Sequence, residues 1–228
     1  MKKIIVASIF CLLPVFLFSY EINFNKAFSK KVSPDLLTTY VNINISKIDE
    51  SDANKEIEKF NDFIKDYDDV SAKDGTYNLS PRYKYVNKKQ IFTGYVGSLR
   101  YKIESQNAKK LNRFISKLLE VKEKINSEDV KLNISNISWV ISSELYNKSV
   151  DDLRIETIIW ANKYANTLSA KISKNCAVEK ININSINRRN LVYSREIMAT
   201  SSKVAADISP QNNDEDITIN PNFVLECK

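Results

Sequence analysis

The chain has 228 residues and a formal net charge of +6, from 34 lysine and arginine residues against 28 aspartate and glutamate residues. It contains no histidine, which excludes Ser-His-Asp and Cys-His catalytic centres and the commonest metal ligand. Basic and acidic residues are interleaved along the chain, as is typical of a solvated surface. We therefore expect no nucleic-acid partner.

The first 19 residues have the layout of a secretory signal peptide. Two lysines precede an apolar run over residues 4–18, and Ser19 is a small residue at a plausible cleavage point. The run is shorter than the roughly 20 residues of a spanning helix, and it contains Pro14. We expect residues 1–19 to be removed and residues 20–228 to form a single domain with no membrane span. An uncleaved anchor is the alternative.

The region after the leader alternates between strand and helix patterns. Residues 21–32 predict a weak first strand or an extended arm. Residues 37–46 alternate apolar and polar side chains, which predicts a strand with one solvated face. Apolar residues then recur at helical spacing over residues 53–67, which predicts an amphipathic helix capped by Ser51 or Asp52.

Residues 77–103 predict a β-hairpin, which extends backwards to Val70. Tyrosine alternates with basic residues in its first strand, and Asn87-Lys88-Lys89 supplies the turn. Gly94 and Gly97 are two of only three glycines in the chain. Glycine inside a strand indicates a bulge or a close backbone approach, so we expect one of these in the second strand.

Aromatic and basic side chains of this hairpin form a candidate interaction face, made of Tyr83, Tyr85, Tyr95 and Arg82. Such a surface also suits single-stranded nucleic acid, but an exported protein seldom meets that ligand. Packing of the tyrosines across the two strands is the alternative interpretation, and it needs no ligand.

The second half of the chain predicts two further helices and three strand regions. They are a helix over residues 107–124, a strand region over 132–141 with a break near Ser135-Asn136, a long helix over 149–174 that begins at Ser149, a strand over 177–183, and a closing strand over 217–225 interrupted by Pro221. Residues 184–213 are polar and show little pattern. The order β-α-β-β-α-β-α-β-β predicts an α+β fold with helices packed on an antiparallel or mixed sheet.

Cys176 and Cys227 are the cysteines that remain once the leader is removed. If residues 177–183 pair antiparallel with residues 217–225, the start of one strand lies beside the end of the other. The two sulfur atoms are then close enough for a disulfide, which an exported protein permits. Closing a loop of about 50 residues stabilises a fold by roughly 4 kcal/mol in the chain-entropy model. A redox sensor is the functional alternative.

Three carboxylate clusters are the remaining candidates for chemistry: Asp68-Asp69, Asp151-Asp152 and Asp214-Glu215-Asp216. Two carboxylates suffice for a hydrolase. A helix end, a helix cap and a solvated loop are the alternative interpretation, and no cluster has the spaced ligands of a calcium loop. We expect no cofactor and no metal site.

Several short motifs resemble those of the SIMPL-domain family of exported bacterial proteins. They are Ser33-Pro34-Asp35, Leu79-Ser80-Pro81-Arg82-Tyr83 followed by Thr93-Gly94-Tyr95, Ile137-Ser138-Trp139 with Ser142-Ser143-Glu144, and a polar segment before the last strand. The likeness covers residues 28–225, although this chain has Asn, Lys and Ile where the family usually has more Gly and Ala. It implies an exported α+β domain, often assembled into rings, with proposed roles in envelope and oxidative stress tolerance and in protein interaction.

The lack of histidine and of other catalytic motifs, together with this resemblance, predicts a non-enzymatic protein of the periplasm. Association with the outer membrane is compatible with this location. We expect a homo-oligomeric scaffold or a factor that binds other envelope proteins, linked to stress tolerance. The alternatives are a carboxylate-dependent hydrolase and a thiol-based redox-responsive factor.

Overall fold

A computed structural model describes residues 19–125, 128–183, 186–187 and 210–228. Residues 1–18 of the predicted signal peptide and most of the polar segment over residues 184–213 lie outside this part of the chain. The described elements are β1 (Tyr20–Asn25), β2 (Phe28–Val32), β3 (Leu36–Lys47), α1 (Glu50–Lys65), β4 (Ser71–Val86), β5 (Lys89–Ser105), α2 (Ala108–Ile125), β6 (Val130–Ile134), β7 (Ser138–Val140), α3 (Ser143–Ile172), β8 (Cys176–Asn182), β9 (Ile186–Asn187), β10 (Glu215–Ile219) and β11 (Asn222–Cys227).

The α+β class is confirmed, because helices accompany sheets whose described strand pairs are antiparallel. The chain divides into two compact units. Of the described residues, the larger unit contains 31–125, 128–149 and 210–217, and the smaller unit contains 19–30, 150–183, 186–187 and 218–228. Each unit is built from segments that are distant in sequence. The single domain predicted over residues 20–228 stays a prediction.

The larger unit is built around β3, the central strand of a sheet with the order β4-β5-β3-β6, in which β7 also pairs with β3. Alternate residues of β3 are fully buried, among them Leu37, Val41, Ile43 and Ile45. Period-two alternation puts these side chains on one face of the sheet. That face packs against the buried side chains of α1 and α2, which are Ala53, Ile57, Phe60, Ile64, Leu111, Phe114 and Leu118.

The first helix begins earlier than its sequence pattern predicts. Asp49 is the N-cap, with an extended backbone, and its carbonyl oxygen accepts the first helical hydrogen bond from Ala53 at 3.3 Å. The predicted caps, Ser51 and Asp52, are therefore wrong, since both lie inside the first turn. Carboxylates in this turn suit the positive end of the helix dipole, so Asp52 still stabilises the helix start.

The predicted hairpin is β4 and β5, joined by a two-residue turn. Asn87 and Lys88 both have positive φ, at 50° and 63°, which is the geometry of a type I′ hairpin turn. Lys89, predicted as a turn residue, is the first residue of β5. Gly94 has φ 115°, and a Cβ there would collide with the carbonyl oxygen of Lys47, so the predicted close backbone approach is present.

The strand region predicted over residues 132–141 is divided into β6 and β7, and both parts pair with β3. At the break, the backbone N–H of Ser135 donates to the carbonyl oxygen of Tyr40 at 2.8 Å. The hydroxyl of Thr39, a buried side chain, donates to the carbonyl oxygen of Ser135 at 2.7 Å. These bonds satisfy backbone groups that the interrupted ladder leaves without a partner.

The longest helix, α3, starts at Ser143 and not at the predicted Ser149. Ser142 caps it, because its hydroxyl oxygen accepts from the N–H of Leu145 at 3.1 Å. The carboxylate of Asp35 fixes this cap, accepting from the Ser142 N–H at 2.7 Å and from its hydroxyl at 2.8 Å. Ser149 is instead a buried residue within the helix. In the described part of the chain, no helix combines the length and the apolar character needed to cross a membrane.

The smaller unit pairs a three-stranded antiparallel sheet, in the order β1-β11-β8, with α3. The predicted arm over residues 21–32 is two strands, β1 and β2. Aromatic rings of the sheet and of α3 form one cluster, made of Phe24, Phe28, Trp160, Tyr164 and Phe223. Within it, Trp160 and Tyr164 stack with ring centroids 4.8 Å apart. Burial of rings of this size is a main source of stability in a small unit.

Candidate functional site

The outer end of the β4–β5 hairpin, residues 83–92, is here called the hairpin tip. Pairing of β3 with β5 ends at Lys47 and Tyr95, so the hairpin continues beyond that point as two strands alone. Every residue from Pro81 to Phe92 is exposed. The tip is therefore a ribbon with solvent on both faces, and its side chains are available for contact.

Aromatic rings line one face of this ribbon. Tyr83 lies opposite Phe92 in the ladder, with ring centroids 5.8 Å apart, and Phe92 contacts Tyr95 at 5.3 Å. Tyr85 follows two residues after Tyr83 and so shares its face. The structure thus brings three of the predicted interaction residues to one side. Phe92 was not predicted from the sequence, because its position opposite Tyr83 follows only once the two turn residues are known.

Arg82, the fourth predicted interaction residue, lies on the opposite face because it alternates with Tyr83. Its side chain is bound to the neighbouring strand. The Nε and Nη2 atoms donate to the hydroxyl and carbonyl oxygens of Thr93, each at 3.2 Å, and the Thr93 hydroxyl donates to the Arg82 carbonyl at 3.1 Å. These bonds surround the register shift between Arg82 and Tyr83. Arg82 therefore fastens the base of the tip, and its role in an interaction stays a prediction.

Charge on the tip has a single sign. Lys84, Lys88 and Lys89 are exposed, and no acidic residue occurs between Asp74 and Glu104. Val86 and Ile91 share the second face with Lys84 and Lys89, as the strand register requires. The tip is therefore cationic and apolar at once, a combination that suits a ligand with both anionic and apolar parts.

Three of the motifs that carry the family resemblance meet one another in the larger unit, and the fourth lies in the hairpin. The indole Nε1 of Trp139 donates to the carbonyl oxygen of Pro210 at 3.0 Å, and the Asn212 side chain donates to the Pro34 carbonyl at 2.8 Å. The hydroxyl of Ser33 hydrogen-bonds the carboxylate of Asp214. Together with the bond from Asp35 to the cap of α3, these contacts fasten loops to one another. These motif residues therefore have a structural role, which is to hold the loops together.

A polar cleft of about 850 Å³ also lies in the larger unit. Its lining residues are Leu36, Asp68, Asp69, Val70, Ser71, Lys73, Glu104, Ser105, Gln106, Asn107, Lys110, Ser142, Ser143 and Glu144. Glu104 is only 5% exposed, and it forms ion pairs at 2.7 Å with both Lys73 and Lys102. Burial alone would raise the pKa of Glu104, but the hydrogen bonds from Lys102 and Lys73 outweigh it and hold that pKa below its usual value.

Asp69, at the rim of the cleft, is also held ionised. Lys110 lies 3.0 Å from its carboxylate and Arg113 lies 3.4 Å away. The hydrogen bond from Lys110 is the main reason that the pKa of Asp69 is lowered. The general acid of a two-carboxylate hydrolase needs a raised pKa, so neither Asp69 nor Glu104 has the property that this chemistry requires.

In the other carboxylate clusters Asp151, Asp152, Asp214 and Asp216 are exposed, and Glu215 is half-buried. Asp151 pairs with Arg154 at 2.7 Å and Asp152 with Lys30 at 2.6 Å, on the outside of α3. Among the residues that the structure describes, no group of three or more acidic or cysteine side chains could hold a metal ion. The arrangement of these acids is that of a solvated surface.

Cys176 and Cys227 lie opposite each other in the β8–β11 ladder, with their sulfur atoms at bonding distance and their Cα atoms 4.0 Å apart. The neighbouring residues, Asn175 and Lys228, exchange two backbone hydrogen bonds of 2.9 Å. The antiparallel pairing from which the disulfide was predicted is therefore confirmed, and so is the proximity of the sulfurs. Both cysteines are buried, which is unfavourable for a thiol that must react with an oxidant.

An exposed apolar face on α3 was not predicted. Ile155 and Ile159 are 58% and 63% exposed, and Ile158 lies beside them, on the side opposite the buried Leu153 and Thr157. These three isoleucines are here called the isoleucine face. The sequence already indicates such a face, because apolar residues occur on all sides of this helix and only one side can face the sheet.

Comparison with protein families gives a match over most of the chain. Residues 27–223 match the family described as SIMPL, protein of unknown function (DUF541). No curated protein matches the chain.

Three solved structures are similar at low identity. A de novo designed protein, Foldit4, has 12% identity and a TM-score of 0.26, and the match covers 43% of this chain and 97% of that one. A putative aminohydrolase from methicillin-resistant Staphylococcus aureus has 6% identity and a TM-score of 0.27, with 50% of this chain and 32% of that one covered. An unknown protein from Galdieria sulphuraria has 9% identity and a TM-score of 0.24, with 84% of this chain and 82% of that one covered. At these TM-scores the likenesses carry no argument about the chain.

Proposed function

The chain belongs to the SIMPL family, and from that premise we propose that it is an exported, non-enzymatic protein that acts by assembling with copies of itself and by binding other envelope proteins. The proposed location is the periplasm, reached after cleavage of residues 1–19. Tolerance of envelope stress, and of oxidative stress above all, is the role that the family resemblance suggests.

The isoleucine face of α3 is the observation that carries the assembly part of the proposal. Three large aliphatic side chains on one turn and a half of helix are 47–63% exposed among the described residues. Exposed apolar groups that lie together are typical of a surface that contacts another protein. An amphipathic or apolar helix face most readily pairs with a second helix, through side chains at spacings of three and four.

Charges beside the isoleucine face favour a second copy of the chain as the partner. Asp152 precedes the isoleucines and Lys163 follows them, on the same edge of the helix as judged from its period of 3.6 residues. An antiparallel pairing about a two-fold axis near residue 157 places Lys163 of one copy beside Asp152 of the other, where Asp152 also pairs with Lys30 of its own chain. The same pairing brings Ile155 against Ile159. The surface is thus self-complementary, as an isologous dimer contact requires.

The charged residues of the cleft support a non-enzymatic role. Glu104 is the one carboxylate buried among the described residues, and two ammonium groups hold it ionised. The whole chain lacks histidine, the usual base at neutral pH. These features disfavour a carboxylate-dependent hydrolase, and the burial of Cys176 and Cys227 disfavours a redox sensor.

Light scattering on residues 20–228 at micromolar concentration tests the assembly proposal. We expect a species larger than one chain, and we expect Ile155→Asp with Ile159→Asp to convert it to the monomer, since two carboxylates cannot be buried in an apolar contact. Ile48→Asp is the matched control, because Ile48 is 77% exposed and lies outside α3. A strictly monomeric wild-type protein would contradict the proposal.

A charge exchange tests the antiparallel register. Lys163→Asp alone should weaken the assembly through repulsion from Asp152 of the second copy, and Asp152→Lys alone should weaken it in the same way. The double variant should regain at least part of the lost affinity, because the opposite charges meet again. Equal assembly of all four proteins would show that the copies do not pair through this register.

A further inference from the structure

We propose that the hairpin tip docks on an anionic lipid surface. This inference does not rest on the assembly proposal, because the tip and the isoleucine face have no residue in common. Its starting point is the length of unsupported ribbon beyond Lys47 and Tyr95. A two-stranded hairpin is at best marginally stable alone in water. Yet the tip exposes large apolar side chains on both faces, with Tyr85 73% and Ile91 50% exposed.

Rings of the tip have the character of residues that lie at a membrane–water boundary. Tyr83 and Tyr85 each combine an apolar ring with a polar hydroxyl, and Phe92 contacts the first of them. Tyrosine is enriched at the headgroup level of membranes for this reason. Three rings on one face of a narrow ribbon would reach that depth together.

Lysines supply the attraction to negative charge. Lys84 and Lys89 project from the face that also carries Val86 and Ile91, and Lys88 is in the turn at the extreme end. Long lysine side chains bury their apolar stems while the ammonium group stays at the level of the phosphates. With no acid between Asp74 and Glu104, nothing within the hairpin tip offsets this positive charge.

The distribution of apolar groups favours a lipid surface over a protein partner. A protein groove or a flat protein surface covers one face of a ribbon, but here both faces carry exposed apolar side chains, Tyr85 and Phe92 on one and Val86 and Ile91 on the other. A fluid interface surrounds an inserted tip on all sides. Contact between the tips of two copies is opposed by six lysines of like charge.

Flotation of residues 20–228 with lipid vesicles is the experiment. The probes are vesicles of phosphatidylethanolamine with about 30% phosphatidylglycerol, and vesicles of phosphatidylcholine alone. We expect the protein to float with the anionic vesicles and to remain unbound when only neutral vesicles are present. Rising salt concentration should release it from the anionic vesicles, because salt screens the lysine–phosphate attraction. Failure of the wild-type protein to float with anionic vesicles would overturn the proposal.

Substitutions at the tip separate this site from general electrostatic attraction. Changing Lys84, Lys88 and Lys89 to Gln should lower the partition coefficient by about fivefold for each lysine. The matched control changes three exposed lysines of α1 and α2, Lys59, Lys109 and Lys124, to Gln. Equal losses in the two triple variants would overturn the assignment to the tip, whereas a loss confined to the tip variant supports it.

A tryptophan at the tip reports on insertion. In the variant Tyr85→Trp we expect emission that is quenched by brominated lipid, and in Tyr77→Trp, which lies at the supported base of the same strand, we expect no added quenching. The change Tyr85→Ser should weaken flotation without lowering the melting temperature, because this side chain is 73% exposed. Tip-dependent capture of an acidic protein, with no binding to either vesicle, would reassign the tip to a protein partner and overturn the proposal.

Discussion

The two halves of the β4–β5 hairpin have similar sequence patterns and opposite surroundings. The run Leu99-Arg100-Tyr101-Lys102-Ile103 alternates apolar and basic residues, as does Arg82-Tyr83-Lys84-Tyr85 at the outer end. In the inner half the apolar members are buried against β3 and α1, whereas in the outer half they are exposed. Alternation therefore indicates a strand and a pair of faces, but neighbouring elements decide whether a face is covered.

The contacts of the aromatic and basic side chains also differ between the inner and outer halves of the hairpin. In the inner half, the hydroxyl of Tyr101 donates to Asn61 of α1 at 2.8 Å, and the guanidinium of Arg100 lies 4.4 Å from the ring centroid of Tyr40. At the tip, the described contacts of Tyr83 and Phe92 are with residues of the hairpin itself. The inner half therefore serves stability, and binding by the outer half is a prediction.

The largest expected effect contrasts two isoleucines of the same strand. Ile103 is fully buried in the core, so Ile103→Ala should lower the free energy of unfolding by about 2–5 kcal/mol. Ile91→Ala should change it by less than about 0.5 kcal/mol, because Ile91 has no core contacts to lose. Urea denaturation of both variants is the measurement. A comparable loss in Ile91→Ala would mean that the tip is covered in solution by another part of the protein.

A smaller effect is expected where the hairpin leaves β3. Gly94→Ala should destabilise by about 1–3 kcal/mol, because it forces an L-residue to adopt φ 115° and places a Cβ against the Lys47 carbonyl. Gly97→Ala is the control with ordinary backbone geometry, where the new Cβ meets the flexible Ile57 side chain at 3.1 Å. The melting temperature of Gly94→Ala should therefore be lower than that of Gly97→Ala, and the reverse order would contradict the strain argument.

Local pattern was sufficient to predict the helical stripes, the hairpin, the break between β6 and β7, and the pairing that brings Cys176 and Cys227 together. It failed for the start of α3, because Ser149 followed by two aspartates has the sequence of a helix cap. The true cap, Ser142, depends on Asp35, and a contact between residues so far apart leaves no local signal.

Surfaces were harder to predict than elements. The tyrosines of the hairpin were identified as a candidate face from the sequence, but Phe92 was not, since its partner is defined only by the exact turn at Asn87 and Lys88. The isoleucine face of α3 was not predicted either, although the helix that carries it was. Exposure depends on which side of an element receives a neighbour, and a periodic pattern does not identify that neighbour.

An effect of similar size, which depends on pH, is expected at Glu104, at the inner end of β5. Its pKa in the folded protein is lowered by Lys102 and Lys73, so its contribution to stability is present above the unfolded pKa of about 4.3 and is lost as the pH falls through the folded pKa. Glu104→Gln should therefore lower the free energy of unfolding by about 1–3 kcal/mol at pH 7. The difference from wild type should narrow as the pH falls below about 4.3. Urea denaturation across this range is the measurement, with Glu156→Gln on the exposed side of α3 as the control. A difference that stays constant with pH would show that the ion pairs at Glu104 do not stabilise the inner half of the hairpin.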